Sequence, residues 1–134
     1  SVMQLTETDM TILFRTLSTI QEPDSNHLTR AFYKEEEIPQ KEWNSWLDRW
    51  WSRVDGRPDR ESMLNANPKY VLRNWIAQLA IDAAEKEDYS VATALYEMLK
   101  KPYDEQPGNE EKWFSRRPEW ARNRVGCSML SCSS

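Results

Sequence analysis

Apolar side chains recur at intervals of three or four residues in four separate stretches of this chain. That spacing places them on one face of an α-helix, which completes a turn about every 3.6 residues. Only 3 of the 134 residues are glycine, and 30% are charged. Such a composition disfavours a β-sandwich with many turns. We therefore expect an all-α fold, an irregular bundle of about five helices with a core of moderate size.

The first half of the chain contains two strong helix patterns. One spans residues 6–20, with Thr6 as N-cap and Asp9 in the place that Glu holds in a capping box. A less regular short helix is expected at residues 25–33. Pro39 suits the first turn of a second strong helix, which Gly56 ends. The face predicted for this helix is rich in tryptophan and is interpreted as core: Trp43, Trp46, Leu47, Trp50 and Val54.

The second half contains a predicted antiparallel helical hairpin and a tail. Asn67-Pro68 predicts a helix start, because Asn can cap and Pro at the first position loses no hydrogen bond. This helix should run to about residue 86, and the second should occupy residues 90–101. Further prolines interrupt the rest of the chain, so we expect a helical domain at 1–101 and an extended tail at 102–134, with a brief helical turn at 118–122. Three aromatic residues should pin the tail to apolar surface: Trp113, Phe114 and Trp120.

Charge and hydropathy exclude two classes of partner. The net charge is −4, and a nucleic-acid-binding domain usually presents a basic face, which this sequence lacks. The apolar runs are far shorter than the ~20 residues that cross a bilayer, and no signal-peptide pattern is present. Both cysteines fall in the last eight residues, so disulfides cannot hold the body of the fold together. We expect an intracellular protein without nucleic-acid or membrane partners.

The residues that carry chemistry are sparse. A structural zinc site needs about four Cys or His ligands, and the chain offers His27, Cys127 and Cys132. We interpret His27 as a surface residue. A loop that cradles phosphate needs closely spaced glycines, and the three here are isolated. The clustered carboxylates are interpreted as solvated surface: Asp82, Glu85, Glu87, Asp88, Asp104 and Glu105. We expect no catalytic residue, bound cofactor or metal in this segment.

The two cysteines leave an open question. Arg122 and Arg124 precede them, and nearby positive charge favours a thiolate. One interpretation is a pair of exposed thiols without a role. The other is a redox function, for which Cys127 and Cys132 pair with each other or with a cysteine outside this chain. A stand-alone redox enzyme is disfavoured because no Cys-x-x-Cys motif occurs.

Several stretches together resemble the C-terminal region of the selenoprotein O family. Their order and approximate spacing match as well. The stretches are Asn67-Pro68-Lys69-Tyr70-Val71-Leu72-Arg73-Asn74-Trp75, Pro102-Tyr103-Asp104-Glu105-Gln106-Pro107, Arg117-Pro118-Glu119-Trp120-Ala121 and Ser131-Cys132-Ser133-Ser134. The resemblance is strong from about residue 63 onward and weaker in the opening residues.

The resemblance implies a protein adenylyltransferase with a kinase-like fold. Such an enzyme transfers AMP from ATP, with Mg or Mn, to Ser, Thr or Tyr hydroxyls of protein substrates. The family's catalytic residues lie upstream of this region, so the resemblance implies that the segment supports the kinase-like lobe and that its site lies elsewhere. It also implies a bacterial cytoplasmic location or, in a eukaryote, a mitochondrial one.

One functional position of the family matches this chain. Cys132 stands where some family members carry selenocysteine, three residues from the end. The resemblance makes Cys132 the redox candidate, pairing with a cysteine of the kinase-like part, while the additional Cys127 leaves a second partner open. The alternative hypothesis is a tryptophan-rich helical module that recruits a partner protein and has no enzymatic role.

Overall fold

The computed structural model describes residues 2–125 and 127. Over these residues the chain forms six α-helices and four short 3-10 helices, and its only strand-like pairing is a single bridge between Thr8 and Phe32. The α-helices are α1 (Met10–Leu17), α2 (Gln40–Arg53), α3 (Arg60–Ala66), α4 (Asn74–Glu85), α5 (Ser90–Leu99) and α6 (Pro107–Trp113). The 3-10 helices are Val2–Gln4, Ser25–Ala31, Glu35–Glu37 and Glu119–Ala121. The all-α prediction is confirmed.

The chain divides into two compact units, Ser1–Pro68 and Lys69–Ser134. The first contains α1 to α3, and the second contains α4 to α6. The boundary between these units lies after residue 68. The domain boundary predicted from the sequence, between 1–101 and 102–134, is a separate division and stays a prediction. None of the described helices is both long and apolar enough to cross a membrane.

Helix α1 begins four residues later than the predicted start. Asp9 is the N-cap, and its carboxylate accepts a hydrogen bond of 3.0 Å from the backbone N–H of Ile12. The capping box predicted at Thr6 is wrong, because the residues before Asp9 pair with another segment. Tyr33 N–H donates to Glu7 O, and Asp9 N–H donates to Ala31 O. This pairing keeps the backbone extended up to the cap.

The tryptophan-rich helix α2 contributes to the core of the first unit, as predicted. Trp43 and Leu47 are fully buried, and the Trp43 ring lies 5.1 Å from that of Phe32. Trp46 and Trp50 stack in parallel at 6.3 Å and are half-buried. The predicted end of this helix at Gly56 lies three residues beyond the observed end at Arg53. Gly56 has φ +64°, and its N–H donates to Trp51 O just past the last turn.

Two arginines connect α1 and α3, and each binds carbonyl groups at the C-terminal end of the other helix. Arg15 of α1 is buried, and its Nη1 donates to Leu64 O at 3.1 Å and Asn67 O at 2.9 Å. Arg60 of α3 donates to Ser18 O at 3.4 Å. Each guanidinium therefore binds carbonyl groups that a helix end leaves without intrahelical partners. Helix α3 was not predicted, because its seven residues show no clear apolar period.

The helix predicted to start at Asn67-Pro68 starts instead at Asn74. Asn67 is the C-cap of α3, and its side-chain amide donates to Met63 O at 2.7 Å. Lys69 and Tyr70 do not enter a helix, because their backbone N–H groups both donate to Pro102 O. Asn67-Pro68 does mark a helix boundary, but that boundary is the end of α3.

The hairpin of α4 and α5 is confirmed, and the two helices pack against each other. The residues after α5 are more helical than the predicted extended tail, because α6 occupies Pro107–Trp113 with Pro107 at its first position. Trp113 and Phe114 are buried as predicted, and Trp113 stacks on Trp75 at 6.3 Å. Trp120, predicted to pin the tail, is 44% exposed.

Replacing Arg15 by Met should lower the free energy of unfolding by about 1–3 kcal/mol, because the part-buried carbonyls of Leu64 and Asn67 lose their charged donor. Arg49→Met is the control, since Arg49 is exposed and bonds Ser45 of its own helix. That change should cost less than about 0.5 kcal/mol. Urea unfolding followed by circular dichroism measures both, and equal losses would contradict the assigned role of Arg15.

Candidate functional site

The segment between α3 and α4 places a buried lysine at the centre of the second unit. The side chain of Lys69 is 3% exposed. Its Nζ lies 2.8 Å from Glu105 Oε2 and 2.6 Å from Glu110 Oε1. It also lies 5.3 Å from the centre of the Phe114 ring. A buried ammonium needs such paired and hydrogen-bonded surroundings to stay charged.

The two carboxylates fix the charge state of Lys69. Burial alone would lower the pKa of Lys69, but the hydrogen bonds from its Nζ to Glu105 and Glu110 and the charge of Glu105 outweigh burial. The pKa of Lys69 is therefore raised above its ordinary value. A raised folded-state pKa means that the contribution to stability is complete below the unfolded-state pKa and is lost as pH rises through the folded-state pKa.

Tyr70 binds the same loop from the other side. It is fully buried, and its hydroxyl lies 2.7 Å from Glu105 O and 2.9 Å from Gln106 O. The Gln106 side chain in turn donates to Met98 O and Lys101 O at the end of α5. We call the cluster of Lys69, Tyr70, Glu105, Gln106 and Glu110 the lysine cluster. It joins two of the four stretches that carry the family resemblance.

The lysine cluster was not predicted from the sequence. Glu105 was interpreted as solvated surface, and Lys69 was assigned to the first turn of a helix. The available signal was the resemblance itself, since Lys69-Tyr70 and Glu105-Gln106 lie within its two longest stretches. Spacing alone could not bring together residues 36 positions apart.

The carboxylates around the end of α4 have structural partners. Asp82 forms a two-pronged ion pair with Arg124, at 2.7 and 2.8 Å, and also accepts from Gln78. The hydrogen bonds from Arg124 and Gln78 lower the pKa of Asp82. Asp88 accepts from the N–H and hydroxyl of Ser90 at the start of α5, which lowers its pKa. Glu85 and Glu87 are exposed, as predicted for solvated surface.

His27 lies at the surface, as predicted, with its Nε2 2.9 Å from Glu22 Oε1. Together with Asp24 these groups bring three potential ligand atoms within 4.8 Å of one another. This grouping was not predicted from the sequence. Asp24 already caps the helix Ser25–Ala31 by accepting from Asn26 N–H. Three ligands are fewer than a structural zinc site uses, and exposed clusters of this kind need no ion.

Cys127 is fully buried and forms no disulfide with another of the described residues. The interpretation of both cysteines as exposed thiols is therefore wrong for Cys127. Its backbone N–H donates to Arg124 O at 3.0 Å. Cys132, the redox candidate, lies outside the described residues. The structure therefore neither brings the two thiols together nor separates them.

Comparison with known proteins identifies the chain's relatives. A protein nucleotidyltransferase YdiU from Flavobacterium johnsoniae is 53% identical over 147 residues, covering 100% of this chain and 28% of the relative. Those from Rhodopirellula baltica and Aromatoleum aromaticum are 46% and 47% identical, covering 29% and 26% of the relatives. No family model matches.

These relatives form one class, the bacterial protein nucleotidyltransferases. The chain is similar to the C-terminal region of these relatives, which are members of the selenoprotein O family. The resemblance drawn from the four sequence stretches is confirmed. The chain spans little more than a quarter of the relatives' length.

Replacing Lys69 by Met should lower the free energy of unfolding by about 1–3 kcal/mol, because the partly exposed carboxylates of Glu105 and Glu110 lose their charged hydrogen-bond donor. The matched control is Lys100→Met, since Lys100 pairs with Glu97 at the surface and should contribute less than about 0.5 kcal/mol. Urea unfolding measures both. The difference between parent and Lys69→Met should be constant from about pH 7 to 9, since the raised pKa keeps Lys69 charged there.

Proposed function

We propose that the chain is the non-catalytic helical segment of a selenoprotein O family protein nucleotidyltransferase and that it supports a kinase-like lobe. One observation carries this proposal. Lys69, Tyr70 and Glu105 lie in the stretches that carry the family resemblance. The ammonium group of Lys69 pairs with the Glu105 carboxylate, and the Tyr70 hydroxyl bonds backbone carbonyls. This engagement supports a role in holding the fold together.

The activity of the whole protein is proposed from the family. The relatives' name supports nucleotide transfer to proteins, and the family resemblance specifies AMP from ATP, with Mg or Mn, onto Ser, Thr or Tyr hydroxyls. We assign ATP, metal and protein substrates to the part of the relatives that lies outside this chain. Gly56 fits this assignment, because a Cβ there would lie 3.3 Å from the Trp51 indole nitrogen, whereas a phosphate-binding loop keeps such space open.

The proposed role of Cys132 is redox regulation of that activity. The support is its match to the selenocysteine position of the family and its place in a Ser-rich end. Its partner would be a cysteine of the kinase-like lobe or Cys127. The proposed location is the interior of the cell, in the bacterial cytoplasm or a mitochondrion.

A protein-interaction module is the alternative function. The exposed aromatic residues Tyr89, Tyr96 and Tyr103 of the second unit favour it. The tryptophans of α2 favour it less, because Trp43 is buried and Trp46 and Trp50 are half-buried within the first unit. Sedimentation of the isolated chain separates the two proposals. A strict monomer at high concentration argues against self-association through these residues.

Calorimetric titration with ATP and Mg tests whether the nucleotide site lies outside this chain. The isolated chain should give no saturable heat, whereas the full-length Flavobacterium johnsoniae relative should bind. The control is the Lys69→Met variant of the isolated chain, which should also give none. Saturable binding by the isolated chain would contradict a purely supporting role, because it would place a nucleotide site within these residues.

Replacing Cys132 by Ser tests the redox role in a full-length protein that carries this segment. AMP transfer to a protein substrate should depend on whether dithiothreitol or oxidised glutathione is present, and Cys132→Ser should abolish that dependence. Cys127→Ser is the matched control and should retain it if Cys132 pairs outside this chain. Equal redox dependence of the parent and Cys132→Ser proteins would refute the role of Cys132.

A further inference from the structure

The exposed apolar side chains of the first unit are grouped around α1. Among the described residues 2–68, the three most exposed large hydrophobic side chains are Leu5, Met10 and Phe14, at 56%, 46% and 37%. Met10 and Phe14 are one turn apart on α1 and therefore lie on the same side of that helix. Apolar residues scattered singly are ordinary at a protein surface, whereas a grouped set marks a contact surface.

Three cavities lie along this side of the unit, and each shares a lining residue with the next. The first, of about 150 Å³, is lined by Met10, Phe14 and Pro68. The second, of about 50 Å³, has Phe14 and Val2 in its wall. The third, of about 330 Å³, is lined by Val2 and Leu5 beside polar residues of α2. Phe14 and Val2 thus join the three cavities into one surface, which we call the α1 face.

The chemistry of the α1 face around α1 itself is apolar. No charged residue lines the first or the second cavity. The amide side chain at the first cavity, that of Asn67, already donates to Met63 O. A volume of about 150 Å³ is enough to hold a benzene ring. This part of the α1 face therefore fits apolar side chains, including an aromatic one.

The relatives extend well beyond the part that this chain matches. The chain matches their C-terminal region and spans 28% of the Flavobacterium johnsoniae protein, so most of that polypeptide precedes the matched part. Val2, the first residue that the structure describes, lines two of the three cavities. A preceding polypeptide would therefore join the first unit beside the α1 face. Covalent attachment gives such a neighbour an effective concentration on the order of millimolar, which favours it over a separate partner.

We propose that the α1 face is the surface on which the preceding part of the same polypeptide docks, with an apolar side chain seated between Met10, Phe14 and Pro68. That the docked part is a kinase-like lobe rests on the proposed function. Docking would remove the exposed apolar side chains of α1 from water, which supplies a driving force for the contact. It also gives the supporting role of this segment a defined location.

Methionine oxidation tests the docking in a full-length protein that carries this segment. Hydrogen peroxide transfers one oxygen atom to the sulfur of an accessible methionine and leaves water, and mass spectrometry measures the sulfoxide at each position. In the isolated chain, Met10 should oxidise much faster than Met98, which is 2% exposed. In the full-length protein, the rate at Met10 should fall at least about tenfold, because oxidation then requires undocking.

Ile81→Met is the matched control. Ile81 of α4 is 50% exposed and is not a lining residue of the α1 face, so a methionine there should oxidise at a similar rate in both proteins. Equal rates at Met10 in the isolated chain and the full-length protein would overturn the proposal. Protection of Met10 in the isolated chain would overturn it too, and protection that grows with protein concentration would identify a second copy as the occupant.

Met10→Glu provides a second, independent measurement. Residue 10 is the first of α1, where an acidic side chain is favourable, so the urea midpoint of the isolated chain should not fall. In the full-length protein the same change places a charge in an apolar contact and should lower the midpoint. Ile81→Glu should shift the midpoints of both proteins alike, and the same behaviour of Met10→Glu would contradict docking.

The two proposals can fail separately. Neither the oxidation rates nor the urea midpoints involve nucleotide, so they measure docking whether or not the isolated chain binds ATP. Saturable ATP binding with Met10 protected in the full-length protein would overturn the proposed function alone. Absence of ATP binding with Met10 unprotected would overturn the docking alone.

Discussion

A single buried ammonium group determines how the second unit is put together. Lys69 can remain charged inside the protein because the carboxylates of Glu105 and Glu110, 36 and 41 positions along the chain, pair with it. That requirement draws the loop before α6 onto the segment before α4, where Tyr70 binds two carbonyls of the same loop. The backbone of the same segment is held as well, because the N–H groups of Lys69 and Tyr70 donate to Pro102 O in the turn after α5.

The fold class and most helix faces could be predicted because they depend on local periodicity. Trp43 and Leu47 of α2 and Leu95 and Met98 of α5 are buried as their spacing indicates. Helix ends were predicted less well. Asn67-Pro68 and Thr6 have the residue types of helix starts, but their backbones are bound by distant segments, at Pro102 and near residues 31–33. Tertiary hydrogen bonds of this kind override the local helix propensity, and a local sequence pattern does not reveal them.

At the candidate site, too, features that depend on composition or contiguous residues could be predicted, whereas contacts between distant residues could not. The scarcity of glycine, histidine and cysteine could be read directly, and so could the family, because its motifs are contiguous. The ion pairs of Lys69 and of Asp82 could not be predicted, because the paired residues lie 36 to 42 positions apart and resemble ordinary surface charges in the sequence. The burial of Cys127 could not be predicted either, because the stretch around it shows no apolar period.

Gln106 combines two demands that few side chains can meet together. Its backbone is left-handed, with φ 41°, a conformation that favours glycine or asparagine. Its side-chain amide also donates to two carbonyls at the end of α5, at 2.9 and 2.7 Å. Glycine would relax the backbone and leave the carbonyls without a donor, asparagine is a methylene too short, and glutamate cannot donate. A substitution at position 106 must therefore satisfy two independent requirements, a left-handed backbone and a side-chain donor of the right length. Few amino acids satisfy both.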